Sequence, residues 1–125
     1  MTAIFLLRTA GVIALGLVLF HGLFWRLFDW PGSLADLSPA NRALPQVLNL
    51  SLIAVFLLFG VLLLVWPAEL LSTNSGRALI LGIGLVYAAR ALLQPLFFGL
   101  RSGGSRLLFG ICVAAALLHF AALNV

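Results

Sequence analysis

The chain has 125 residues, of which 64% are hydrophobic and 8% charged, against roughly 45–50% apolar and about 25% charged in an ordinary soluble domain. So short a chain cannot hide two thirds of its residues in a core, which excludes a water-soluble monomer and makes lipid the expected solvent. All seven basic residues are arginine and three residues are acidic, a formal charge of +4; scattered between apolar runs, the arginines form no basic stripe for nucleic acid and instead report membrane topology.

A spanning helix needs about 20 mostly apolar residues. Stretches of that length run from Ala3 to Phe24, Gln46 to Trp66, Ala78 to Phe98 and Leu107 to Leu123, which predicts an all-α integral membrane protein, a single domain of four transmembrane helices in an antiparallel bundle. The first run exceeds the usual apolar core of a signal peptide and no small-x-small cleavage site follows it, so it is read as a retained helix. The connection over residues 25–45 mixes Trp30, Leu34 and Leu37 with Asp29, Ser33 and Asp36, as suits a segment lying in the headgroup layer. Within it, Ser38-Pro39 reads as an N-cap followed by proline at the first helical position, with Pro45 kinking the helix at the interface. Trp25, Trp30 and Trp66 fall at span ends, as membrane anchors do.

Helices that alternate in direction put Arg26, Arg42, Arg101 and Arg106 on one side and Arg8 and Arg77 on the other. The side with more arginine is expected in the cytoplasm, with both termini outside, in a bacterial cytoplasmic (inner) membrane. Small residues mark close helix contacts in lipid. Helix one carries Ala10, Gly11, Ala14, Gly16 and Gly22, helix three Ala78, Gly82, Gly84, Ala88 and Ala91, and helix four Gly110, Ala114 and Ala115. These three helices are therefore expected to form the seam, with the Leu- and Val-rich helix two packed more loosely.

Polar side chains inside spans are costly and mark functional candidates. Arg42, Gln46 and Asn49 form one stripe on helix two, and Tyr87, Arg90 and Gln94 another on helix three. At about 1.5 Å per residue, His21, Asn49 and Gln94 lie roughly 9–12 Å from the midplane and Arg90 about 3 Å from it. His21, Gln46, Asn49, Tyr87, Arg90 and Gln94 are thus the expected ligand-binding residues, gathered toward one membrane face. No acid occurs within any span to neutralise Arg90. Its structural alternative is to snorkel and bond Gln94, Asn49, a folded-back Asp29 or Asp36, or the Ala91 carbonyl that Pro95 leaves without its helical donor. His119 belongs by this reckoning to the opposite end of helix four, so a haem held between it and His21 within one protomer is not expected.

No metal site, catalytic residue or cofactor is expected: the acids all lie in connections, and the single Cys112 has no acidic or histidine neighbour in sequence. Proton-coupled multidrug export needs an intramembrane carboxylate, and quinone-linked disulfide chemistry needs several cysteines, so neither fits. A binding or accessory module with a pocket for a lipid headgroup, quinone or small anion is favoured. The alternatives are a ligand-free assembly subunit of a larger membrane complex and a small transporter or channel acting as an oligomer; an enzyme is favoured least. Expected partners are the bilayer, a lipid or quinone ligand, and further copies or a membrane complex, but no nucleic acid.

Overall fold

The computed structural model describes residues 1–125 and is all-helical. Its elements are α1 (Thr2–Gly22), α2 (Phe24–Leu27), α3 (Trp30–Ser33), α4 (Pro39–Val65), α5 (Pro67–Ser72), α6 (Asn74–Phe97) and α7 (Gly103–Ala122). Four of them, α1, α4, α6 and α7, are long and apolar enough to cross a membrane. The shortest, α7, has 20 residues, about 30 Å of helix, which matches a hydrocarbon core.

Local chemistry sets the helix starts. The Ser38 hydroxyl accepts from the Asn41 amide at 3.4 Å with Pro39 at the first helical position, as Ser-Pro predicts. Thr73 caps α6 through the Gly76 amide at 3.0 Å, and Ser102 caps α7 through the Ser105 amide at 3.1 Å. Because its cap lies so far upstream, α4 runs through Pro45 and begins well before the apolar run from Gln46. The connection between α1 and α4 folds into the short α2 and α3. It is tied down by Arg42 Nη2, which donates to the Ala35 and Leu37 carbonyls at 3.2 Å each.

The packing corrects one expectation. α1 packs most extensively on α4, α6 packs on α7, and α1 also packs on α7, giving the order α4, α1, α7, α6. The supposedly loose helix two, α4, is therefore the principal partner of α1. The reason is a single glycine in its leucine-rich run: Gly60 lies against Gly11, so that a Cβ on either would come within 3.2–3.3 Å of the other's carbonyl oxygen. Gly84 does support the α6–α7 contact, where a Cβ would meet His119 and Phe120, but Gly82 and Gly110 face open space.

Two layers of side chains fill the centre. One joins Leu7 and Ala10 of α1 to Leu63, Ile80 and Ala122. The next joins Leu17 to Phe56, Ile83, Tyr87, Ala115 and Ala116. Only 24 of 125 residues are buried, so most of the apolar surface of the long helices faces outward, including Leu48, Leu58, Leu85, Leu92 and Leu117.

Candidate functional site

Beyond the second layer, toward α2 and α3, the backbones of α4 and α6 stay apart. Side chains bridge the gap at one level, where the Phe56 and Tyr87 rings stack at 6.1 Å. The remaining space is a cavity of about 1020 Å³ lined from all four long helices and roofed by Phe24, Phe28 and Trp30. Most of the lining is hydrophobic, and its polar groups are few.

α6 supplies three of them from one face, as the i, i+3, i+7 spacing requires. Tyr87 is 1% exposed and its hydroxyl has no hydrogen-bond partner. Arg90 is half-buried; its Nη1 is buried without a partner, and its Cζ lies 5.7 Å from the centre of the Phe98 ring, within cation–π range. Gln94, 3% exposed, donates from Nε2 to Ser105 Oγ at 2.8 Å and keeps Oε1 unpartnered. The snorkelled arrangement open to Arg90 in sequence is not the one adopted. Asp29 and Asp36 stay exposed in the α1–α4 connection, and buried Nη1 bonds neither Gln94, Asn49 nor a carbonyl.

α1 contributes His21. Its Nδ1 lies 2.8 Å from the Leu17 carbonyl, and since a carbonyl only accepts, Nδ1 carries a proton, which leaves Nε2 the acceptor in the neutral ring. The ring stacks on Phe24 at 4.5 Å and leans on Phe56 at 5.1 Å.

The remaining two expected residues, Gln46 and Asn49, are outside the cavity wall. Gln46 accepts from Trp25 Nε1 at 3.0 Å and donates to the Arg42 carbonyl at 2.9 Å, pinning α2 to α4. Asn49 donates to the His21 carbonyl at 2.9 Å, in the last turn of α1, where carbonyls lack helical donors. Both side chains clamp the connection around the cavity instead of facing into it.

Sequence reasoning passed over the α7 contribution. Ser105 and Cys112 line the cavity, and Ser105 donates to the Gly99 carbonyl. Together with His119 they fall at i, i+7 and i+14, one face of α7, and that spacing was the available signal. His119 itself is fully buried against Tyr87, with ring centres 5.7 Å apart, and its Nε2 has no partner. It lies in the last turn of α7, at the end of the span where its sequence position puts it, but turned into the packed interior, where a Cβ on Gly84 would lie 3.0 Å from its own Cβ. The two histidine rings connect through Phe56 and Tyr87.

Chemically, the site is a half-open, mostly apolar and aromatic cavity with Arg90 as the one cation in its lining and His21 beside it; the Tyr87 hydroxyl and Gln94 Oε1 are buried behind its surface. No group of three or more His, Cys, Asp or Glu residues is placed to hold a metal ion. No family model, curated protein or solved structure matches the chain.

Proposed function

We propose that the chain is an integral membrane protein of four antiparallel spans that acts as a binding module, holding one amphiphilic ligand with its oxygen-bearing head on Arg90 and its apolar body in the cavity. The observation that carries this reading is the buried, unpartnered Arg90 Nη1 at the wall of a cavity of about 1020 Å³. An unpaired buried donor on a cation is expensive, and a ligand oxygen met by a turn of the half-buried guanidinium into the cavity removes that cost. The outward leucines of the long helices support lipid as the surrounding solvent. The exposed Arg26, Arg42, Arg101 and Arg106 at the cavity end support a cytoplasmic placement of that end in a bacterial inner membrane.

The test is extraction of the purified chain and of Arg90→Gln, followed by mass spectrometry of the lipid-soluble material retained by each. The reading expects a near-stoichiometric compound on the unmodified chain that is lost from a variant of unchanged helix content. Retention by Arg90→Gln, or no enriched compound on the unmodified chain, overturns it. A second reading, an assembly subunit, is favoured by an apolar groove of about 300 Å³ between α6 and α7, around Ala88, Ala91 and Ala116, since small residues let another helix approach.

A further inference from the structure

The four long helices do not close into a ring. In the order α4, α1, α7, α6 each neighbouring pair packs, but α4 and α6, the two ends of that order, share almost no backbone contact. At one end of their seam Leu63 and Ile80 belong to one cluster and α5 joins the two helices; toward α2 and α3 the space between them belongs to the cavity. Leu52 and Val55 of α4 and Val86 of α6 line that cavity and are also 43%, 40% and 53% exposed. The cavity therefore has a mouth on the side of the bundle, between two helices long and apolar enough to span a membrane. A hydrocarbon chain can pass out through it without being enclosed.

Charge sets the other end of the occupant. Arg90 is the one cation in the lining, and no Asp or Glu lines the cavity. Of its guanidinium nitrogens only Nη1 is sealed off without a partner; the edge carrying Nε and Nη2 keeps open surface. Cζ lies 5.7 Å from the Phe98 ring, just past the end of α6 at Phe97, so the charge is carried toward that end of the helix. Arg26, Arg42, Arg101 and Arg106 are exposed at the same end, opposed only by Asp29 and Asp36. A neutral head leaves this excess unmatched. A phosphate diester offers the guanidinium edge two oxygens, and its chains leave at the right height: Phe56 stacks on Tyr87, which sets Leu52 and Val55 level with the α6 turn from Val86 to Arg90.

On the reading of this cavity as a ligand site, we propose that its occupant is an anionic phospholipid that enters sideways from the bilayer, its phosphate on Arg90 and its acyl chains passing out between α4 and α6. The full chain in detergent micelles is titrated with dioleoyl phosphatidylglycerol, phosphatidylcholine and diacylglycerol, which share their chains and differ in the head, and bound lipid is counted by native mass spectrometry. One phosphatidylglycerol per chain is expected, about tenfold tighter than diacylglycerol, the discrimination of one hydrogen bond to a charged group. It should also bind about fivefold tighter than phosphatidylcholine, whose ammonium cancels the charge. Arg90→Gln should bring phosphatidylglycerol down to the level of diacylglycerol. Val86→Trp, at an exposed position on the rim, narrows the mouth and should weaken phosphatidylglycerol about tenfold, so it decides the matter where Arg90→Gln fails to fold. In phosphatidylcholine bilayers, phosphatidylglycerol with a diazirine in its chain should crosslink to Leu52, Val55 and Val86.

Equal binding of the three lipids overturns the proposal, as does a preference for phosphatidylglycerol that survives Arg90→Gln or a folded Val86→Trp of unchanged affinity. Crosslinks spread evenly over outward residues such as Leu85, Leu92 and Leu117 overturn the sideways route. Failure of all three lipids to bind, while a copurifying compound is still lost from Arg90→Gln, overturns the phospholipid and leaves the binding-module reading standing.

Discussion

Gly11 and Gly60 determine how closely α1 and α4 approach, and replacing each by alanine tests the seam directly. A Cβ on Gly11 would stand 2.9 Å from Leu64 Cγ and 3.2 Å from the Gly60 carbonyl oxygen; one on Gly60 would stand 2.6 Å from Leu15 Cδ2 and 3.3 Å from the Gly11 carbonyl oxygen. The leucines can turn away, but the facing carbonyls move only if the helices separate. Overpacking of this kind costs about 1–3 kcal/mol, offset by the roughly 1 kcal/mol that alanine gains over glycine in a helix. Each substitution should therefore destabilise the fold by about 1 kcal/mol on balance. Gly110→Ala, which meets nothing within 4 Å, should be neutral or stabilising by up to about 1 kcal/mol. Since both new methyl groups push the same two backbones apart, the double variant should cost less than the sum of the singles by about 0.5 kcal/mol or more. Reversible unfolding in mixed micelles with rising dodecyl sulfate, followed by circular dichroism, measures all four. Gly11→Ala and Gly60→Ala behaving like Gly110→Ala, or strict additivity in the double variant, would refute a shared α1–α4 seam.

Gly76→Ala should be the most damaging of the glycine substitutions, by roughly 2 kcal/mol or more, because its Cβ would run into the Leu70 backbone where α5 turns into α6; a thermal midpoint equal to that of the unmodified chain contradicts this. Trp25→Phe and Gln46→Leu each break the 3.0 Å bond between α2 and α4, at a cost of about 1 kcal/mol. In a double-mutant cycle the second change should add little, and independent losses would show that the bond does not hold the roof of the cavity. Topology reporters fused at Gly103 and Val125 should score on opposite sides of the membrane with Gly103 cytoplasmic, the reverse pattern excluding the orientation and same-side signals excluding the span count.

Much of the fold was legible because it is local. A run of about 20 apolar residues forms a spanning-length helix whatever its neighbours do, and Ser38-Pro39 announced the start of α4 through a bond within its own first turn. The level of polar residues along their helices was legible too, since it follows from counting: His21, Tyr87, Arg90 and Gln94 all line one cavity. Rotation about the helix axes was not. In water an inward face declares itself by contrast with a polar outer face, but a helix bathed in lipid is apolar all round and that contrast is absent. Gln46 and Asn49 therefore shared the right depth while α4 turned them onto Trp25 and the end of α1. Gly60 disappeared among leucines until Gly11 was placed opposite it, and Ser105, in the first turn of α7, showed its role only once Gln94 and Gly99 stood beside it. Composition and spacing determined that four helices are long and apolar enough to cross a membrane and at what level along them the polar groups lie; only the packing of four helices decided which of those groups come together, because that choice depends on non-local contacts that no short stretch of sequence contains.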